Sequence, residues 1–288
     1  MPSAAITMPP SAASTMTNSR STSTTTNTAD AKMVLPPQAS YGPNVHISTH
    51  PVLQHKISVL RSSATDQDMF RSTLKAITYH LGYEATATLK TKEIPISVSM
   101  GSNKHPVATL ADCVGAKLDD RVALIPILRS GLGMADGMME LLPKAAVHHI
   151  GMYHLPGSEA PVQYFNRLPK KCVSDIAYVV DPDIASSATM MAVIAILKKW
   201  GVEKIHVLSV VSSHHGLKTL SEAHPDVDFT VGNVDPVLTK DGLVLPGLGD
   251  VGDRLFGTHT VMEEEDEDEM LLHPSKRKRT MSNASEFQ

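Results

Sequence analysis

The chain is poor in the residues that would mark several protein classes. It has only two cysteines, Cys113 and Cys172, in 288 residues, so a disulfide framework is excluded as its stabilising device and a reducing compartment is expected. Aromatic residues are scarce, at 4%. No run approaches the roughly 18–20 consecutive apolar residues of a membrane-spanning helix, and no membrane association is expected. The formal net charge of −4 argues against a general nucleic-acid partner. A secretory signal is excluded by the lack of an apolar core near the start. Cytoplasmic residence follows as the expectation.

What is present divides into three parts. Residues 1–43 are dominated by Ser, Thr, Ala, Pro and Asn, and so little apolar surface cannot offset chain entropy, so disorder is expected. Residues 261–288 hold the acidic run Glu263 to Glu269 and then the basic run Lys276-Arg277-Lys278-Arg279. Like charges repel and stay solvated, so this tail is also read as disordered. The basic run has the form of a short nuclear import signal, which would add a nuclear pool.

Between them, residues 44–260 alternate helical and strand patterns. Phe70, Leu74, Ile77 and Leu81 recur at helical spacing and predict a helix over 66–89, with Ser63 or Asp66 as its cap. Buried strands are predicted at 121–128 and 176–180, a helix at 187–200, a strand at 204–211, a helix at 215–223 and a strand at 228–231. That alternation predicts an α/β fold with a parallel sheet. Sites on such sheets lie where strands end and loops open. Three loops qualify: after Leu128, after Val180, and the late segment 243–258.

The late segment carries four glycines, Pro246, Asp250, Asp253 and Arg254. Glycines so dense let backbone approach a flat ligand closely, and the acids and arginine suit a hydrated metal or a phosphate. After Val180, the strand delivers Asp181, then Ser186, Ser187 and Thr189 lead into a helix. A helix N-terminus offers unpaired N–H groups and a positive dipole end to a phosphate, while the carboxylate can accept hydrogen bonds from sugar hydroxyls. Each motif alone is compatible with an ordinary turn or helix cap. The fourteen histidines form no convincing metal-ligand pattern and are read mostly as surface residues.

Taken in order, His50-Pro51-Val52-Leu53-Gln54-His55-Lys56, Tyr83-Glu84-Ala85-Thr86, Pro126-Ile127-Leu128-Arg129-Ser130-Gly131-Leu132-Gly133-Met134, Ile150-Gly151-Met152-Tyr153, Val180-Asp181-Pro182, His224-Pro225-Asp226-Val227 and the late glycine-rich loop resemble the uracil phosphoribosyltransferase family from about Val45 to Thr258. The resemblance implies a phosphoribosyltransferase-type parallel sheet flanked by helices, with a small hood over the base. It implies transfer of phosphoribosyl from phosphoribosyl pyrophosphate to uracil, giving UMP and pyrophosphate, with Mg2+, in a homo-oligomer that is a dimer or larger. GTP as an allosteric activator belongs to the same expectation.

Roles follow for matching positions. Leu245, Gly247, Leu248 and Gly249 would hold uracil. Asp250 would meet the magnesium-bound donor, Arg129 would clamp pyrophosphate, and Gly131 would let the chain pass close to it. Asp181 would bind the ribose hydroxyls, with Ser186, Ser187 and Thr189 around the phosphate. Asp181, Asp250 and Arg129 are thus the expected catalytic set. Departure of pyrophosphate leaves an oxocarbenium-like sugar, so positioning and charge stabilisation should carry the chemistry, with no strong nucleophile.

The chain departs from the family on the phosphate side. Where the family has Met-Leu-Ala-Thr-Gly-Gly-Ser, this chain has Asp183-Ile184-Ala185-Ser186-Ser187-Ala188-Thr189. A positive φ at Ser187 or Ala188 would strain the loop by about 1–3 kcal/mol, and Asp183 would set like charge against a phosphate. An arginine usual after Tyr153 is His154. A uracil- or nucleotide-binding regulator without turnover is therefore the alternative, and a transferase for a related pyrimidine or for uracil breakdown is a third reading.

Overall fold

The computed structural model describes residues 41–99, 110–154, 160–240 and 242–258. The expectations of disorder for the two tails, and the Lys276–Arg279 signal, therefore lie outside the described residues, apart from 41–43.

In chain order the elements are β1 (Val45–Ile47), α1 (Pro51–Arg61), α2 (Gln67–Ala85), β2 (Thr91–Ser99), β3 (Leu110–Leu118), β4 (Val122–Leu128), α3 (Leu132–Leu141), β5 (Ala146–Val147), β6 (Ile150–His154) and β7 (Pro161–Asn166). Then come β8 (Ile176–Val180), β9 (Asp183–Ile184), α4 (Ala188–Trp200), β10 (Lys204–Ser213), α5 (His214–Ala223), β11 (Asp228–Asp235), β12 (Val237–Leu238), β13 (Val244–Leu245) and α6 (Val251–Phe256). The main sheet runs β1-β11-β10-β8-β4-β6-β7, with β5 beside β4 and β9 beside β10. Its pairings are parallel except for β7, which returns antiparallel along β6.

Strand β8 shows why the sheet is buried on both faces. All five of its residues are buried, yet they divide by the two-residue period of a strand. Ile176, Tyr178 and Val180 pack with α1, α2, α3 and α6. Ala177 and Val179 pack with α4 and α5. Burying each large apolar side chain contributes about 1.5–3 kcal/mol. Helix α2 starts where Asp66 accepts the Met69 N–H at 2.7 Å, and α4 ends on Gly201 in the left-handed region. Predicted strands and helices are recovered with shifts at their ends. Helix α2 stops at Ala85, short of the expected residue 89, because the chain turns through Thr86 to start the β2–β3 hairpin. That hairpin and helix α1 were not anticipated from periodicity.

One histidine contradicts the surface reading. His206 is buried on β10, bonded through Nε2 to Thr230 Oγ1 at 2.8 Å and stacked on Tyr178. Burial first, then the neighbouring His46, depresses its pKa to about 4. An unfolded histidine takes up its proton near pH 6.5, so between about 6.5 and 4 the unfolded chain holds a proton that the folded chain refuses. Stability from this group is present above that window and is lost as pH falls through it. Replacing His206 with Phe should reduce the loss of stability between pH 6.5 and 4.5 by about 2–3 kcal/mol, measured by urea unfolding at both pH values. An unchanged loss would show that His206 does not carry the acid sensitivity.

Candidate active site

The carboxyl ends of β4, β8, β11 and β13 deliver four loops to one side of the sheet, and specific contacts tie them together. Gly131 occupies the turn after β4. A Cβ there would lie 2.4 Å from the Val180 carbonyl oxygen and 2.6 Å from the Ile127 nitrogen, so only glycine lets this turn close against β8. The neighbouring Ser130 then donates its hydroxyl to Asp181 Oδ1 at 2.7 Å. Asp181 is buried just past β8. Burial, reinforced by the charge of Asp183 and opposed by the Ser130 hydrogen bond, raises its pKa to about 7. A buried carboxyl at that poise is typical of functional sites.

Beyond Asp181, the chain leads into α4 through Ser186 and Ser187. Ser187 is the N-cap residue with φ −71 and makes no side-chain cap bond, so the first-turn amides are not satisfied by the usual cap. Ser186, Ser187 and Thr189 are all partly buried at this helix start. The expected strain is absent: among the described residues no non-glycine has positive φ. Ser187 sits in the ordinary right-handed region, where a side chain costs nothing extra. Restoring glycines there therefore has no strain to relieve.

Asp183, expected to set like charge against a phosphate, lies in β9, paired with Val211 of β10. Burial raises its carboxyl to about 7, with Asp235 as the main charged neighbour adding to the rise and Arg61 opposing it.

The late loop is held by an ion pair that sequence reasoning missed. Asp235, at the end of β11, is 2% exposed. Arg61 of α1 grips it with both terminal nitrogens, at 2.8 and 2.7 Å. Asn233 adds a third donor at 2.8 Å, and the Gly247 N–H a fourth at 2.8 Å. The Gly247 carbonyl accepts from Arg61 at 3.3 Å. Gly247 needs its φ of +58, and a Cβ there would fall 2.2 Å from the Val244 carbonyl oxygen. Both of its backbone polar groups make contacts within the protein, and the residue is buried. Leu245 is half-exposed, Gly249 is exposed, and the Leu248 side chain is buried in the core. The antiparallel ribbon β12–β13 leads into this loop.

The charged residues of the segment divide unequally. Arg254 faces inward, donating to the carbonyls of Leu60, Leu248 and Ser62 and lying 4.2 Å over the Phe70 ring. This corrects its reading as a phosphate or metal partner, because its guanidinium is consumed in fastening the loop to α1 and α2. Asp250 is exposed and caps α6, accepting the Asp253 N–H at 2.9 Å. Arg129 is 53% exposed in its side chain and touches Asp253 at 3.2 Å and Thr258 at 3.3 Å. Such a surface pair is worth only about 0–1 kcal/mol, so Arg129 can turn to a phosphate at little cost.

Among the described residues no group of three His, Cys, Asp or Glu could hold a metal ion. A cavity of about 630 Å3 between α2, α3 and α6 is lined by Arg71, Lys75 and Met139 among others, and includes Leu255 and Phe256 of the late segment but neither Asp181, Asp250 nor Gly247.

Asp235 carried the same signal that pointed to Asp181, a carboxylate closing a buried strand. Arg61 carried none, since its partner is 174 residues away.

Comparison with known proteins places these features. The family model described as uracil phosphoribosyltransferase matches residues 47–258. The uracil phosphoribosyltransferase of Agathobacter rectalis is 40% identical over 214 residues, covering 74% of this chain and 98% of that protein. The one from Dictyoglomus thermophilum is 41% identical over 215 residues, 74% of this chain and 99% of that protein. Among solved structures, the AQ2163 protein from Aquifex aeolicus superposes with a TM-score of 0.68 at 28% identity, over 75% of this chain and 99% of that one.

Proposed function

Because this chain belongs to the uracil phosphoribosyltransferase family, we propose that it transfers the phosphoribosyl group of phosphoribosyl pyrophosphate to uracil, releasing UMP and pyrophosphate. The observation that carries this reading is the buried Asp181 carboxyl, fixed by Ser130 beside Gly131 and a few residues before the uncapped start of α4. A sugar phosphate fits that arrangement: hydroxyls on the carboxylate and the 5′-phosphate on the first-turn amides with Ser186, Ser187 and Thr189. Arg129 leaves Asp253 to meet the pyrophosphate, and Gly131 lets its oxygens approach the backbone. The base lies against Leu245, Gly247 and Gly249, with Leu248 anchoring the loop from the core.

Catalysis in this arrangement comes from holding base and sugar in line and from cations facing the departing pyrophosphate. The donor set suits a hydrated Mg2+ carried in by the donor and touched by one or two carboxylates, not a protein cage. Asp181 and the free oxygen of Asp250 are the residues we assign to that contact. Bound there, the ion would neutralise charge developing on the leaving pyrophosphate.

Purified protein with uracil, donor and magnesium should form UMP and pyrophosphate in equal amounts. The same assay with and without GTP tests the activator. Uracil binding without any turnover would favour the regulatory reading. The specific observation on that side is the trio Asp181, Asp183 and Asp235, whose mutual repulsion opposes an anionic donor.

Assembly is part of the proposal. Strands β2 and β3 pair with each other over nine positions, and an isolated two-stranded hairpin is marginally stable in water. Cross-strand register puts Ile94, Ile96, Val98 and Cys113 on one face, and Ile96 and Val98 are exposed there. A second copy of the chain would cover them. Light scattering should give a dimer or larger species at micromolar concentration, and Ile96→Glu with Val98→Glu should shift it to monomer. A monomeric wild type would remove the argument.

A further inference from the structure

Ser213, the last residue of β10, is buried and carries a hydroxyl that serves two segments at once. It caps α5 by accepting the Gly216 N–H at 2.9 Å. It also donates, at 2.5 Å, to the carbonyl of Ala185 in the loop that leads into α4. Capping accounts for the first bond only. Ser212 beside it donates to the Ile184 carbonyl at 3.3 Å. Gly216 leaves room for the loop, since a Cβ there would fall 2.7 Å from the same Ala185 oxygen. The corner between β10 and α5 thus converges on two consecutive carbonyls just before Ser186.

The consequence lies on the other side of the peptide. Ala185 and Ser186 are joined by a trans bond, since the cis bonds among the described residues lie elsewhere. A planar trans peptide sends its C=O and its N–H in opposite directions. With the carbonyl held against a buried hydroxyl, the Ser186 N–H faces away from the β10–α5 corner. No backbone carbonyl among the described residues accepts it, and Ser186 is partly exposed. Such an N–H at the start of a helix is a donor suited to an anion.

We propose that Ser213 is a positioning residue for the 5′-phosphate: its hydrogen bond to the Ala185 carbonyl aims the Ser186 N–H at a phosphate oxygen. The inference rests on the phosphate site described above at the start of α4. The family pattern has Thr-Gly-Gly where this chain has Ser186-Ser187-Ala188. Glycine backbone approaches an anion with no side chain in the way. With side chains at 187 and 188, the orientation of the Ser186 amide carries more of the contact, and Ser213 fixes that orientation from outside the loop.

The test is calorimetric titration of UMP and of uridine, up to millimolar ligand, into wild type, Ser213→Ala and Ser213→Gly. The two ligands share base and ribose and differ by the 5′-phosphate. UMP affinity should fall about tenfold in both variants, the worth of one amide hydrogen bond to a charged oxygen. Uridine affinity should change less than about twofold, because it has no phosphate to meet the amide. Loss of the α5 cap alone would lower the Tm of Ser213→Ala and leave the ratio of UMP to uridine affinity where it was. Glycine is tolerated at a helix start, so Ser213→Gly reads the same ratio if the alanine variant does not fold. Equal losses for both ligands, or no loss for UMP, would overturn the assignment while leaving the phosphate site intact. A wild type that binds UMP no more tightly than uridine would sink the phosphate site and this inference with it.

Discussion

Asp235→Ala should unfold more easily by about 3–5 kcal/mol, the usual consequence of leaving one member of a buried ion pair alone. Arg61, Asn233 and the Gly247 N–H would all lose their acceptor. For a chain of this size each kcal/mol shifts Tm by about 2–4 °C, so a drop on the order of 10 °C is expected in a melting curve. Uracil affinity should fall more than about 100-fold even where the fold survives, because Gly247 is no longer held at its left-handed conformation. A double variant separates the two effects. Arg61→Met with Asp235→Leu replaces the pair by apolar groups, and such replacements are often neutral or stabilising. It should recover most of the Tm without recovering uracil binding. Recovery of both would show that the ion pair does not position the loop.

Asp181→Asn should push stability and activity in opposite directions. The folded carboxyl titrates at about 7, whereas an unfolded aspartate titrates near 3.9. A group whose pKa is raised by folding favours the fold below the unfolded value, and that contribution is lost as pH rises through the folded value. Three pKa steps correspond to about 4 kcal/mol, so above pH 7 the ionised Asp181 is a burden. Asparagine keeps an acceptor for Ser130 and removes the charge. The variant should therefore gain roughly 2–4 kcal/mol at pH 8, or roughly 5–10 °C in Tm, and gain almost nothing at pH 4. Turnover should fall by about two to four orders of magnitude, the worth of two charge-assisted contacts to sugar hydroxyls. Retained activity would dismiss Asp181 from the sugar site, and an equal Tm gain at both pH values would dismiss the charge as its cause.

The chain's alternation of strand and helix patterns was enough to place the parallel sheet. The strand at 176–180 is recovered residue for residue, because a run buried on both faces must be apolar throughout. Local chemistry also marked the loops that matter: glycine at 131 and 247, and a carboxylate at 181. Those signals are legible because they depend on neighbours within a few residues. The β2–β3 hairpin was missed although Ile94, Ile96 and Val98 alternate with polar residues, because Pro95 interrupts the run and a proline weakens a strand signal.

What the tertiary structure alone decided is the division of labour among the charges. Arg254 and Asp250 stand in the most ligand-like string of the sequence, yet one fastens the loop to carbonyls of the α1 end and the other caps a helix. Arg61 looks like an ordinary helix-end cation and turns out to hold the late glycine-rich loop, directly and through Asp235. The reason is physical: the type of a side chain fixes what it can bond to, but a charge's partner is chosen by distance and burial, and those are set by chain segments far apart in sequence.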